Sequence, residues 1–199
     1  MAPDDIITLL SRPQGGLDHN TGHQAVLIGS DKTKDGKGGW TFYSKDFDKS
    51  GTNADGSTND QYTIVTFDTV EQFANSEFNT FKEDYDDGEG TDTSEKNSKG
   101  ETKQRFTEGF RIKTSEKQDA TMKEAAQDQT VSQWWPLGAN CTTVATDALD
   151  AVGLNNGEVS NDGPFGLSSG NYYPDSKQAE IKRSNKGVDI DKQLKPKKK

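Results

Sequence analysis

The sequence predicts one folded domain of mixed strands and helices, and three observations carry that prediction. Residues 23–29 and 40–44 are apolar strand patterns joined by a polar stretch of Asp, Lys and Gly, as in a hairpin with a long loop. Residues 61–67 form a third strand pattern. Residues 141–152 place apolar side chains at the spacing of one helical face. A chain of 199 residues is long enough for one such domain.

The first half of the chain is expected to supply most of the sheet. Residues 1–21 are expected to be a polar lead-in with a short apolar patch at 6–10. Residues 46–60 are rich in Asp, Asn, Ser and Gly, a composition that predicts a loop. Asp68 is expected to cap a helix over residues 69–78, which carries aromatic and aliphatic residues on one side.

The second half is expected to contain fewer strands and more helix. Residues 82–104 are almost wholly charged or small and predict a mobile polar loop. A strand at about 106–113 and a helix near 115–128 are expected to follow, and the helix is expected to be peripheral because most of its residues are polar. Residues 175–186 predict a further short helix before a basic tail.

Composition limits the classes of function. We expect a domain over residues 1–172 and a C-terminal extension over 173–199. The net charge of −9 disfavours a nucleic-acid partner, and no apolar run is long enough to be a transmembrane segment. The N-terminus lacks the basic region of a Sec signal, so we expect synthesis in the cytoplasm without that signal.

Cys141 is the only cysteine, so no internal disulfide is possible within the chain. Asn140 is suited to cap the helix that follows, and Gly153 is suited to end it. Cys141 would then lie in the first helical turn, where unpaired N–H groups and the helix dipole favour a thiolate. The same position lies on the apolar stripe, so a plain core cysteine is an equal alternative.

His23 lies at the start of an apolar strand, far upstream of the cysteine. A lone cysteine with a distant histidine is the minimal signature of a cysteine hydrolase, although a structural strand-end histidine is also common. Ser44 is the first candidate to orient the imidazole, because it has the alternation phase of Trp40 and Phe42. The other candidates for these roles are Tyr43 and Asp46 as orienting groups and His19 as a second base.

Two of these segments resemble a known family. The hairpin at 22–29 and 40–44 resembles the His-bearing hairpin of NlpC-type cell-wall peptidases, and residues 140–143 resemble the start of their nucleophile helix. With histidine before cysteine, the order resembles the circularly permuted branch of the papain-like superfamily, which includes lecithin:retinol acyltransferase-like proteins. Residues 43–46 and 78–86 are similar to C-terminal domains of bacterial Rhs-associated and secreted effectors.

The resemblance implies an α+β, permuted papain-like (NlpC-type) fold, with an antiparallel sheet packed against the nucleophile helix. It implies an acyl-enzyme on Cys141 with His23 as the base, and no metal or cofactor. The expected substrate-binding residues are Trp134, Trp135 and Asn140.

The function expected on this basis is that of a thiol-dependent amidase or peptidase. The resemblance favours an antibacterial toxin, such as a type VI secretion effector, that cleaves peptidoglycan peptide in the periplasm of a target cell. Such a toxin would be expected to have an immunity protein. The alternatives are an acyltransferase or lipid esterase of the same fold, and a non-catalytic binding domain.

Overall fold

The computed structural model describes residues 4–11, 23–30, 39–52, 58–80, 104–132, 141–158 and 174–195. The strands form one six-stranded sheet in the order β4-β3-β2-β1-β5-β6, with every neighbouring pair antiparallel. The strands are β1 (Asp5–Ser11), β2 (His23–Ser30), β3 (Gly39–Thr52), β4 (Thr58–Phe67), β5 (Glu108–Lys113) and β6 (Gly187–Asp189). The helices are α1 (Val70–Ala74), α2 (Glu116–Val131), α3 (Cys141–Asp150) and α4 (Pro174–Ser184), with a 3₁₀ turn at Glu77–Asn79. The expected mixed architecture with an antiparallel sheet is confirmed.

The two faces of the sheet carry different layers. On one, here called the helical face, α2, α3 and α4 cover a core that includes Val26, Ile28 and Tyr43. On the other, here called the aromatic face, α1 and the C-terminal segment cover a core that includes Leu27 and Phe42. Because successive strand residues point to opposite faces, these two sets define the direction of every other position in β2 and β3.

The apolar patch at residues 6–10 is a central strand, and the expectation of a polar lead-in there is wrong. β1 lies between β2 and β5, and every residue from Asp5 to Ser11 is buried. Ile6 packs on the helical face, whereas Ile7 and Leu9 pack on the aromatic face. Its apolar run is short, and such a run does not by itself distinguish a strand from a buried helix.

The expectation of a loop over residues 46–60 is wrong for residues 46–52 and 58–60, and residues 53–57 lie outside the described part of the chain. β3 continues to Thr52 and β4 begins at Thr58, with pairing that includes Phe47 opposite Asp60. The ladder is irregular between Phe47 and Thr52. Backbone groups make these bonds, so a polar composition weakens a strand without forbidding it.

Two helices differ from their expected form. α1 begins at Val70 with Thr69 as its cap, while the Asp68 side chain accepts a hydrogen bond from Gln72. α2 is not peripheral, because Met122 and Ala126 are fully buried in the helical-face core. A narrow stripe of small and unbranched residues is enough for α2 to pack against the sheet, although most of the surface of the helix is polar.

Residues 174–195, expected to be part of an extension, pack on the same sheet. Ile181 of α4 enters the helical-face core, and Ile190 and Leu194 enter the aromatic-face core. β6 pairs with β5. Of the expected mobile loop, residues 82–103 lie outside the described part of the chain, and Gln104 forms an isolated bridge with Thr80.

Candidate functional site

Cys141 is the first residue of α3, and its side chain is half-buried. One turn later, Val144 and Ala145 are fully buried in the helical-face core. The expected helix end is confirmed, since Gly153 has a φ of 71° in the turn that follows Asp150. The dipole at the start of a helix favours an anionic sulfur, so this position is suited to a thiolate.

The C-terminal end of α3 is tied to the end of α4. Asn155 donates its backbone N–H to Asn185 Oδ1 at 3.0 Å, and Asn185 Nδ2 donates to the Asn155 carbonyl at 2.8 Å. Two residues after Asn185, β6 begins at Gly187, which lies opposite Ile112 of β5. The end of α3 therefore lies near the end of the sheet that is marked by Ile112.

The strand register then gives the position of Cys141. Ile112 pairs with Ile6, and Ile6 pairs with Ile28 near the end of β2. Because α3 packs on β2 and β3 and ends toward Ile28, its first residue lies toward the opposite end of β2. That end is where His23 begins the strand. Cys141 and His23 therefore lie at the same end of the sheet.

Lys45 places the end of α2 at this end of the sheet as well. Its side chain is fully buried, and Nζ donates to the Gln129 carbonyl at 3.0 Å, to Ser132 Oγ at 3.1 Å and to the Ser132 carbonyl. The last carbonyls of a helix lack internal partners, so an ammonium group satisfies them and also complements the helix dipole. Continuing the pairing of β2 with β3 places Lys45 opposite Gln24.

His23 and Ser44 are brought together on the aromatic face. His23 Nε2 and Ser44 Oγ form a hydrogen bond of 2.9 Å, and the imidazole lies 5.7 Å from the Phe106 ring centroid. Ser44 is fully buried and has the phase of Phe42, as its position in the strand predicts. The hydrogen bond holds Nε2 of the imidazole toward the aromatic face.

The same alternation places His23 on the face of the sheet opposite to the one that carries Cys141. His23 points with Ala25 and Leu27 to the aromatic face, whereas α3 packs on the helical face with Val26. Thiol and imidazole thus share one end of the sheet but belong to opposite layers. A Cys141–His23 dyad requires the imidazole to turn past the end of β2.

The other expected site residues divide into two groups. Tyr43 lies on the helical face, where burial raises the pKa of its phenol despite an opposing hydrogen bond from Thr41, so the hydroxyl stays protonated at neutral pH. The residues that lie outside the described part of the chain are His19, Trp134, Trp135 and Asn140. Asp46 lies within β3, but the described part of the structure does not include its side chain.

A buried polar relay lies near the candidate site and is not anticipated from the sequence. Gln24 Nε2 donates to Gln178 Oε1 at 3.0 Å, and Gln178 Nε2 donates to the Thr8 carbonyl at 3.3 Å. All three residues are fully or almost fully buried on the helical face. The sequence does contain one indication of the relay, because Gln24 interrupts an otherwise apolar strand and a buried amide needs a hydrogen-bond partner.

Asp147 of α3 and Lys177 of α4 each influence the protonation of the other through their charges. Burial raises the pKa of the Asp147 carboxyl and lowers the pKa of the Lys177 ammonium group, and the attraction between the two opposes both changes. In each case desolvation is the larger cause.

Among the residues that the structure describes, no group of three or more His, Cys, Asp or Glu side chains is arranged to hold a metal ion. In the same ranges, no helix has the length and apolar character required to cross a bilayer. Comparison with protein-family models, with curated proteins and with solved structures finds no match to this chain.

Proposed function

We propose that the chain is a thiol-dependent amidase or peptidase with a permuted papain-like arrangement. The observation that carries the proposal is that Cys141 opens α3 at the end of the sheet where His23 is hydrogen-bonded to Ser44. In this proposal Cys141 is the nucleophile, His23 is the base and Ser44 contacts the imidazole.

The proposed chemistry proceeds in two steps. The Cys141 sulfur, its proton transferred to His23, attacks the carbonyl carbon of an amide and forms a tetrahedral oxyanion. N–H groups in the first turn of α3 are suited to stabilise that oxyanion. His23 then protonates the leaving amine, and water hydrolyses the thioester with His23 again as the base.

The proposed substrate is peptidoglycan peptide in the periplasm of a target bacterium. Support comes from the resemblance of residues 22–29 and 140–143 to cell-wall peptidases and from the similarity of two other segments to secreted effectors. An immunity protein in the producing cell belongs to the same proposal. The contribution of the described residues to the proposal is that a helix-start thiol and a strand-end imidazole lie at the same end of the sheet, in opposite layers.

One observation favours a second candidate, a non-catalytic binding domain. The imidazole of His23 points to the aromatic face, where Ser44 and Phe106 contact it, and α3 is on the other face. If that arrangement is permanent, His23 does not deprotonate Cys141, and the domain binds a partner without catalysing acyl transfer or hydrolysis.

Periplasmic expression in a bacterial host distinguishes the two candidates. The amidase proposal expects lysis by the unaltered chain and survival with Cys141→Ala or His23→Ala, while His19→Ala, the matched histidine control, still lyses. Lysis by Cys141→Ala and His23→Ala as strong as that by the unaltered chain would contradict the mechanism. Mass analysis of digested peptidoglycan then identifies the bond, and ester or lipid products in its place would favour the acyltransferase or esterase alternative.

A further inference from the structure

We propose that Ser44 and Phe106 are positioning residues that hold His23 in a resting position away from Cys141, and that the imidazole turns to the helical face to form the dyad. The inference rests on the proposed function and adds a regulatory step to it. It reverses the sign of the effect expected for Ser44, because an orienting residue would support activity and a retaining residue opposes it.

The contacts of His23 support a defined resting position. Ser44 Oγ bonds to Nε2 at 2.9 Å, and Phe106 contacts the ring at a tilt of 54°. Both partners are fully buried, so neither side chain moves freely. Phe106 is in turn packed against Phe42 and Phe73 in the aromatic-face core. The imidazole is therefore held by groups that are themselves fixed.

The position of His23 in the strand makes the turn a local event. His23 is the first residue of β2, and its partner Ser11 is the last residue of β1. Opening this terminal pair exposes the next pair, Gln24 with Leu10, without disturbing it. Strand ends open at far lower cost than central pairs, so the turned state is accessible from the resting one.

The size of the expected effect follows from the hydrogen bond. A single intramolecular hydrogen bond contributes about 1 kcal/mol, which is about fivefold in an equilibrium constant. Removing the Ser44 hydroxyl should therefore raise the population of the turned imidazole by about fivefold. Any property that depends on a Cys141–His23 pair should rise by the same factor while the turned state remains the minor one.

The test measures alkylation of Cys141 by iodoacetamide from about pH 5 to pH 8, a range in which histidine titrates. The alkylation rate reports the thiolate without any substrate, and Cys141 is the only thiol in the chain. Ser44→Ala should raise the rate at the acidic end by about fivefold, and adding His23→Ala should abolish the gain. Thr8→Val is the matched control, since Thr8 is also a fully buried sheet residue but lies on the helical face. That variant should leave the rate unchanged.

Two results would overturn the inference. If Ser44→Ala lowers the rate and His23→Ala lowers it in the unaltered chain, Ser44 orients a dyad that is already formed, and the proposed function stands without the resting state. If the rate is independent of His23 in every background, there is no turned state. Peptidoglycan digestion by the unaltered chain and by Cys141→Ala is the separate test of the proposed function, so the two failures are distinguishable.

A second measurement keeps the inference testable if Ser44→Ala is unstable. In a His19→Gln background, His23 is the only histidine, and its ring protons report the neighbouring Phe106 ring by NMR. Addition of a peptide aldehyde that captures the thiol should shift these protons toward values free of the Phe106 ring current. Unchanged resonances in the captured state would contradict the turn.

Discussion

Asp119 gives the stability of this protein an unusual dependence on pH. The residue lies in the first turn of α2, is 4% exposed and accepts a hydrogen bond from Thr114. Burial raises the pKa of its carboxyl from 3.8 to about 6; Asp4 and Asp5 add to the rise, and Thr114 and Lys123 oppose it. Since this folded-state pKa exceeds the unfolded value, the folded state binds the proton more tightly. The resulting stabilisation is complete below about pH 3.8 and is lost as the pH rises through about 6.

The magnitude follows from the two pKa values. A tenfold change in a protonation constant is about 1.4 kcal/mol, so a rise from 3.8 to about 6 corresponds to about 3 kcal/mol. The positive end of the helix dipole favours the charged carboxylate by about 0.5–1 kcal/mol, which leaves about 2 kcal/mol. Asp119→Asn stays neutral at every pH and keeps an oxygen that accepts from Thr114. We expect this variant to be more stable than the unaltered chain by about 2 kcal/mol at pH 7.5 and by far less at pH 4.

Urea unfolding at several pH values measures the difference between the two proteins. The comparison reports Asp119 together with its electrostatic interactions with Asp4, Asp5 and Lys123, because more distant titrating groups contribute equally to both curves. Asp128→Asn is the matched control, since Asp128 is an exposed carboxylate on the same helix. A free-energy difference between the unaltered chain and Asp119→Asn that does not change with pH would refute the reasoning.

Three further substitutions test the packing around the candidate site. Lys45→Met should lower the free energy of unfolding by about 1–3 kcal/mol, because it leaves the last carbonyls of α2 buried without a donor. Comparing the thermal unfolding of Lys45→Met with that of Lys45→Arg measures how much of the loss a guanidinium group restores. Gln178→Leu should cost about 1–3 kcal/mol by removing the partner of Gln24, whereas the double variant with Gln24→Leu should recover most of it; additive losses in a double-mutant cycle would contradict the relay. Met122→Ala should cost about 2–5 kcal/mol in urea unfolding, because Met122 is fully buried in the same core as the apolar side chains of α3. A loss below about 1 kcal/mol would contradict the seating of α2 in that core.

Local patterns were sufficient for the elements whose limits are marked by turn or cap residues. The hairpin of β2 with β3 and the start of α3 could be predicted because their patterns are local and pronounced. β1 could not, because its apolar run at residues 6–10 is short, and such a run does not by itself distinguish a strand from a buried helix. β2 is also covered on both faces, but a polar stretch joins it to a second strand pattern, as in a hairpin. The burial of α2 was missed because its contact stripe contains only Met122 among large apolar residues.

The candidate site shows the same limit. The phase of Ser44 relative to Phe42 predicts that the two share a face, and they do. The face on which α3 packs is a property of the whole sheet, set by where every helix is seated. The number of residues between His23 and Cys141 does not contain that information. Only the structure could show that the two residues lie on opposite faces of the sheet.

The central position of β1 has a consequence for the order of folding. Its two neighbours are β2, which follows closely, and β5, where Ile112 pairs with Ile6 across an interval of 106 residues (112 − 6). During synthesis, one side of β1 therefore remains unpaired until more than a hundred further residues have been added. Long-range antiparallel pairing of this kind slows folding and leaves an apolar strand open to other chains in the meantime. The nascent polypeptide should thus be most prone to aggregation before β5 emerges from the ribosome.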